Sequence, residues 1–162
     1  DKGDKDKVTD KTDTTAQEKP GKEEVQEEKT EFAVGETAEQ KGVQITLVNA
    51  VESQGNDYFK PSEVNIFLIL EFEILNNSEQ TTNIRSVANF EAYYDDYTLN
   101  QDILGLQAPE AEGKSQLDGS VAAGKKMNGV MAYQVPADFS RSEINVAPSF
   151  WSSTDIRFII AK

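Results

Sequence analysis

The sequence contains no cysteine and no histidine. Without cysteine there is no disulfide, no thiolate nucleophile and no cysteine-ligated zinc or iron–sulfur centre. Without histidine the chain lacks the commonest general base and the commonest transition-metal ligand. Neither a Ser-His-Asp nor a Cys-His triad can be assembled from it. Catalysis would fall to carboxylates, lysine, tyrosine or a Ser-Lys pair. The motifs GxGxxG, GxxxxGK[ST] and GxSxG are also missing, so the expectation is a non-enzyme with no cofactor. Basic residues are scarce: 16 Lys and Arg stand against 29 Asp and Glu, a net charge of −13 over 162 residues. Nucleic acid binding needs clustered Lys and Arg to displace counterions, and the same excess of negative charge repels anionic membrane surfaces. Long apolar runs are absent too. The longest, Ile66 to Leu70, is five residues, far short of the roughly 20 that cross a bilayer as a helix.

What is present changes abruptly near residue 31. Residues 1–31 hold 11 acids and 7 bases, with Val8, Ala16 and Val25 as their only apolar side chains and no aromatic. Such a stretch buries too little surface to offset the entropy of ordering it, so a disordered, charged tether is expected. As a coil it would span about 30 Å, and fully extended on the order of 100 Å. The chain begins at Asp1 rather than Met, which fits a signal peptide removed upstream.

Residues 32–162 carry every Phe and Tyr and the one Trp, with 18 acids and 9 bases. That is one domain of ordinary size with enough length for a single core. Its apolar residues alternate. Val43, Ile45, Leu47 and, after Asn49, Val51 mark a half-buried strand. Ile66, Leu68, Leu70, Phe72 and Ile74 fall on one face of a strand over 64–75. The opposite face begins with Phe67 and Ile69 and turns acidic at Glu71 and Glu73, as in a central strand whose second half is wet on one side. Asn76-Asn77-Ser78 stops it. A strand over 88–94 runs into a turn at Asp95-Asp96, with Tyr97–Leu99 returning. Residues 100–118 read as loop, and a helical turn near 82–89 is the alternative to strand there. Met127–Val135, Ile144–Val146 and the 156–160 alternation complete the pattern. The expected fold is all-β: an immunoglobulin-like antiparallel β-sandwich of seven to eight strands.

Several landmarks arrive in a set order: Val34-Gly35-Glu36, the strand 42–51, the long strand ending in Asn76-Asn77-Ser78, an aromatic strand running into Asp95-Asp96, then Ala123-Gly124-Lys125-Lys126-Met127-Asn128-Gly129 leading to Tyr133-Gln134-Val135-Pro136. This order resembles the DUF4352 family, immunoglobulin-like domains of exported lipoproteins, mostly of Gram-positive bacteria. The resemblance covers nearly all of 32–162. The loop 100–118 is longer than the family pattern, and Tyr97 follows the acids where a Gly is commoner. The resemblance implies an extracellular domain joined through its tail to a lipid-modified Cys upstream of Asp1, acting on an unknown protein or cell-envelope component, with the membrane reached only through that anchor. It brings no catalytic residues. It gives Gly35 and Gly124 the roles of turn glycines, Asn77 that of a left-handed turn residue, and Pro136 that of a strand terminator.

Three groups of residues carry candidate chemistry. Tyr93, Tyr94 and Tyr97 cluster on one hairpin, and Trp151 follows Phe150 between two strands; exposed, they would stack on sugars or anchor a partner, and buried, they would fill the core. Tyr58 and Phe59 in the 58–61 loop share this ambiguity. Asp95, Asp96 and Asp102, with Asn100, Glu110 and Glu112 nearby, offer the oxygen ligands that calcium takes, though the D-x-D-x-D-G spacing is absent. A calcium- or small-ligand-binding module using the acidic loops at 95–112 is therefore the alternative function; the competing reading of the same acids is a solvated loop. Ser120 with Lys125 and Lys126 is a formal Ser-Lys pair, against lysines that simply solubilise a turn.

Overall fold

Alternation of apolar residues, rather than any helical period, sets the architecture. The computed structural model describes residues 29–148 and 156–162. Among them run eleven strands: β1 (Glu31–Ala33), β2 (Thr37–Gln40), β3 (Val43–Ser53), β4 (Asn65–Asn76), β5 (Thr82–Arg85), β6 (Phe90–Tyr94), β7 (Tyr97–Leu99), β8 (Asp118–Val121), β9 (Lys126–Pro136), β10 (Arg141–Val146) and β11 (Ile156–Ala161). A helical turn, Ser86–Asn89, and two 3-10 turns, Ile103–Gln107 and Pro109–Ala111, make up the rest. One sheet has the order β1-β11-β10-β6-β7 and the other β2-β3-β4-β9, with β5 and β8 paired as a separate ribbon.

The two large sheets face each other as a sandwich. Ile66, Leu68, Leu70, Phe72 and Ile74 of β4 meet Phe90, Ile144 and Phe158 of the facing sheet in one core. Phe72 lies 5.2 Å from Phe90 and 5.5 Å from Phe158, the latter edge-on, as aromatic quadrupoles prefer. The count exceeds seven to eight because β1, β2, β5 and β8 are three- or four-residue strands, too short to show a period. Pairing is antiparallel except that β1 runs parallel to β11. The 82–89 segment divides, half strand and half helical turn.

The outer face of β4 follows its sequence. Phe67 and Ile69 pack with Ala108, Ala111, Val130 and Ala132 in a second, smaller core, while Glu71 and Glu73 face water in part. The long 100–118 segment supplies the cover, lying across this face as a strap. Val51 joins this outer cluster rather than sharing a face with Val43, Ile45 and Leu47. The register of β3 on β4 shifts between Leu47 and Asn49, and one extra residue in a strand moves every later side chain to the other face.

At about 3.3 Å per residue the eleven-residue β3 gives the sandwich a long axis and two ends. The preceding chain joins at one, the base, where Arg157 N–H donates to the Thr30 carbonyl at 2.9 Å and Lys29 pairs with Glu36 at 3.0 Å. The β2–β3, β4–β5 and β8–β9 turns share this base. Gly35 and Gly124 have φ of +93° and +81°, the turn roles expected of them. Asn77 is not left-handed. The turn is made instead by buried Asn76, whose Nδ2 donates to the carbonyls of Gln80 (2.7 Å) and Val121 (2.8 Å) while its Oδ1 accepts from Ser78 N–H (2.9 Å). Pro136 closes β9.

Candidate functional site

The opposite, distal end gathers the β3–β4 loop (54–64), the β6–β7 turn (95–96) and the β9–β10 connection (137–140). Main-chain bonds join the three. Asp95 N–H donates to Arg141 O (2.9 Å), Ala137 N–H to Val64 O (2.9 Å) and Lys162 N–H to Ser140 O (3.0 Å). Ser140 Oγ donates to Asp95 Oδ1 at 3.2 Å.

The 54–64 loop is built by Asn56. Its Oδ1 accepts from both Tyr58 N–H and Phe59 N–H at 2.8 Å, and its Nδ2 donates to Gln107 O on the strap at 3.0 Å. Gly55 has φ +77°, and a Cβ there would lie 1.9 Å from the Phe59 carbonyl, so only glycine fits. This frame leaves Tyr58 88% exposed and Val64 79% exposed. Val64 holds φ +66°, a conformation that costs a β-branched residue about 1–3 kcal/mol. Gln134 braces the loop from β9, accepting from Ser62 N–H (2.7 Å) and Asn65 Nδ2 (3.1 Å).

Of the hairpin tyrosines, Tyr97 is 64% exposed and stacks on Tyr94 at 5.2 Å between ring centroids; Tyr94 in turn packs on the core. The hydroxyl of half-buried Tyr93 reaches toward Glu91 at 3.5 Å. Burial first, then the Glu91 and Glu143 charges, raise its pKa. Trp151 lies outside the described residues. Asp95, Asp96 and Asp102 are not brought together. Asp95, at φ +51°, and Asp96 form the hairpin turn. Asp102 caps the first 3-10 turn through Leu104 N–H (3.1 Å) and accepts from Gln134 Nε2 (2.6 Å). Among the described residues no three Asp, Glu, His or Cys side chains group as a metal site. Glu110 accepts from Ser53 Oγ, a strap tether that spacing alone does not reveal. Ser120 Oγ donates to Asn83 (2.6 Å), an ordinary cross-strand pair. Two carboxylates, Glu71 and Glu110, line a cleft of about 180 Å³ with Lys114. Each is engaged, Glu71 by Asn128 (2.9 Å) and Lys114 (3.5 Å), and Glu110 by Ser53.

The strand order, the Gly35 and Gly124 turns and the Pro136 stop thus sit where the resemblance puts them, and the family description for a domain of unknown function, DUF4352, matches residues 32–156. The chain belongs to the DUF4352 family. The DUF4352 domain also shares its fold with solved structures. A candidate lipoprotein (ycdA) of Bacillus subtilis superposes with a TM-score of 0.61 at 18% identity, over 77% of this chain and 38% of that one; the chain thus spans well under half of that relative. A candidate lipoprotein of Staphylococcus aureus gives 0.57 at 14% identity, over 78% and 88% of the two chains. A β-sandwich protein of Clostridium difficile 630 gives 0.51 at 14% identity, over 83% and 94%. No curated protein matches the sequence.

Proposed function

We propose that this DUF4352 chain is a non-catalytic recognition domain of an exported lipoprotein. Its N-terminal residues tether it to the outer face of a Gram-positive cell, and its distal loops meet a protein or envelope partner. The observation that carries this reading is the polarity of the sandwich: the preceding chain joins at the base, and the pinned loops with bare aromatics lie at the other end. Charge follows the same axis. The distal segments 54–64, 95–96 and 137–140 hold five carboxylates and one lysine, whereas the base turns 41–42, 77–81 and 122–125 hold two lysines and one glutamate. An anionic membrane surface would repel the distal end and tolerate the base. Two relatives in fold are candidate lipoproteins, and a rigid scaffold with functional loops is the usual division of labour in a sandwich. The lack of His and Cys supports a role without catalysis. Antibody against the domain should label intact cells of the native host, and trypsin added outside should remove the label. Labelling that appears only after lysis would overturn the reading.

A further inference from the structure

We infer that the distal end is a docking surface for a basic, Lys- or Arg-bearing segment of another protein. The inference rests on the recognition reading above and gives it a partner class. Three observations carry it.

The first is bare aromatic area on fixed supports. Tyr58 and Tyr97 are both largely exposed. Tyr58 rides a loop locked by Asn56 and Gly55, and Tyr97 is stacked on Tyr94. The backbone that carries both rings is therefore ordered before a partner arrives, which lowers one of the main costs of association. Tyrosine on a rigid support is also the residue type that most often anchors an interface.

The second is the charge at the same end. Asp57, Glu63, Asp96 and Asp138 form no ion pair among the described residues, and Lys60 is the sole lysine among them. The other cations at this end are spoken for: Lys162 by Glu52 at 3.1 Å and Arg141 by Glu31 and Glu143, each at 3.7 Å. Lysine and arginine satisfy both features at once. Their heads meet carboxylates and their flat or cationic groups lie over tyrosine faces. The chain already uses such contacts internally, with Lys162 Nζ 4.4 Å from the Phe139 ring centre and Lys29 Nζ 5.0 Å from that of Phe32. Phosphate-bearing polymers are disfavoured by the same carboxylates.

The third is that the long edge of β9 is closed to a partner strand. The outer edge of β9 is taken by the strap, with Asp102 N–H donating to Ala132 O (2.8 Å), Val130 N–H to Ser115 O (2.8 Å) and Leu117 N–H to Val130 O (3.1 Å). Strand addition there, the usual alternative for a sandwich, has no free main-chain row to use.

The test is fluorescence anisotropy with the full chain and a labelled decapeptide alternating Arg and Gly, in physiological salt. An equal-length peptide alternating Glu and Gly is the control. Binding is expected for the Arg peptide alone. Tyr58→Ala and Tyr97→Ala together should weaken it about tenfold, and Asp57→Asn with Asp96→Asn should weaken it comparably. Glu39→Gln with Glu73→Gln, the same charge change away from the distal end, should leave it unaltered. Circular dichroism and the melting midpoint of each variant show that it is folded. Absent binding, or affinity that follows net charge and ignores the tyrosines, overturns the proposal while leaving cell-surface display untouched. So does saturable binding of an oligosaccharide by the same tyrosines without any response to the Arg peptide.

Discussion

Tyr133 is 2% exposed, and its hydroxyl has only the Met131 sulfur, at 3.7 Å, as acceptor. Sulfur is a weak acceptor, so the phenol holds its place by packing between the sheets. Burial in turn pushes its pKa well above the ordinary 10.0, because the phenolate would be stranded without water. The folded value lies above the unfolded one. Its contribution is therefore whole below pH 10.0 and is lost as the pH climbs beyond. Tyr133→Phe should change stability at neutral pH by less than about 1 kcal/mol and should flatten the alkaline fall. Urea melts of both proteins across that range check this; parallel alkaline slopes would refute it. Tyr93, also raised, is only half-buried, and solvent screening leaves it a minor residual slope.

At the scale of elements, the strap is the feature that makes this sandwich unlike a bare pair of sheets. It seats where Gly129 of β9 passes under Leu117: a Cβ on Gly129 would come within 2.7 Å of the Leu117 Cα. That is a backbone atom and cannot swing aside. Gly129→Ala should lift the strap from β9, with a loss of about 1–3 kcal/mol and faster amide exchange at Leu117 and Val130 first. An exchange pattern unchanged at those two amides would show that the strap is held elsewhere. The strap's cover was legible in part, since Phe67 and Ile69 announce a second buried face on β4, but the residues that provide it, Ala108 and Ala111, are small and carry no period. The large strands were legible because β3 and β11 alternate and β4 and β9 carry bounded apolar runs. Val51 misled because a bulge is a matter of backbone register and leaves no mark on composition. The distal site was legible only as fragments. Tyr97, Asp95 and Asp96 lie at one turn in sequence, but Tyr58 and Val64 reach the same end through strand pairing, which no local pattern shows. Asp102 read as a candidate ligand in the alternative reading, and its capping role was not legible, because its partners, Leu104 and Gln134, are neutral groups that sequence reading does not pair with an acid.

For the whole molecule, β1 matters more than its three residues suggest. It runs parallel to β11, with Phe32 in the core and Gly35 N–H bonded to Leu47 O at 2.7 Å, and it is the first strand among the described residues. A partner held at the distal end and a tether held at the base would pull along this strand's own axis. Hydrogen bonds lying across that axis are then loaded side by side in shear, so none can fail without its neighbours. Pulled between Lys29 and the β2–β3 turn at the base, the same bonds would open one after another, as in unzipping. Because the chain has no cysteine of its own, handles are readily placed: Lys29→Cys with Tyr58→Cys for the first geometry, Lys29→Cys with Lys41→Cys for the second. Single-molecule stretching should find the first pair yielding at the higher force, and equal forces would dismiss the idea. Bond direction would then make this sandwich a mechanical clamp, stiff along the line from cell to partner and soft across it.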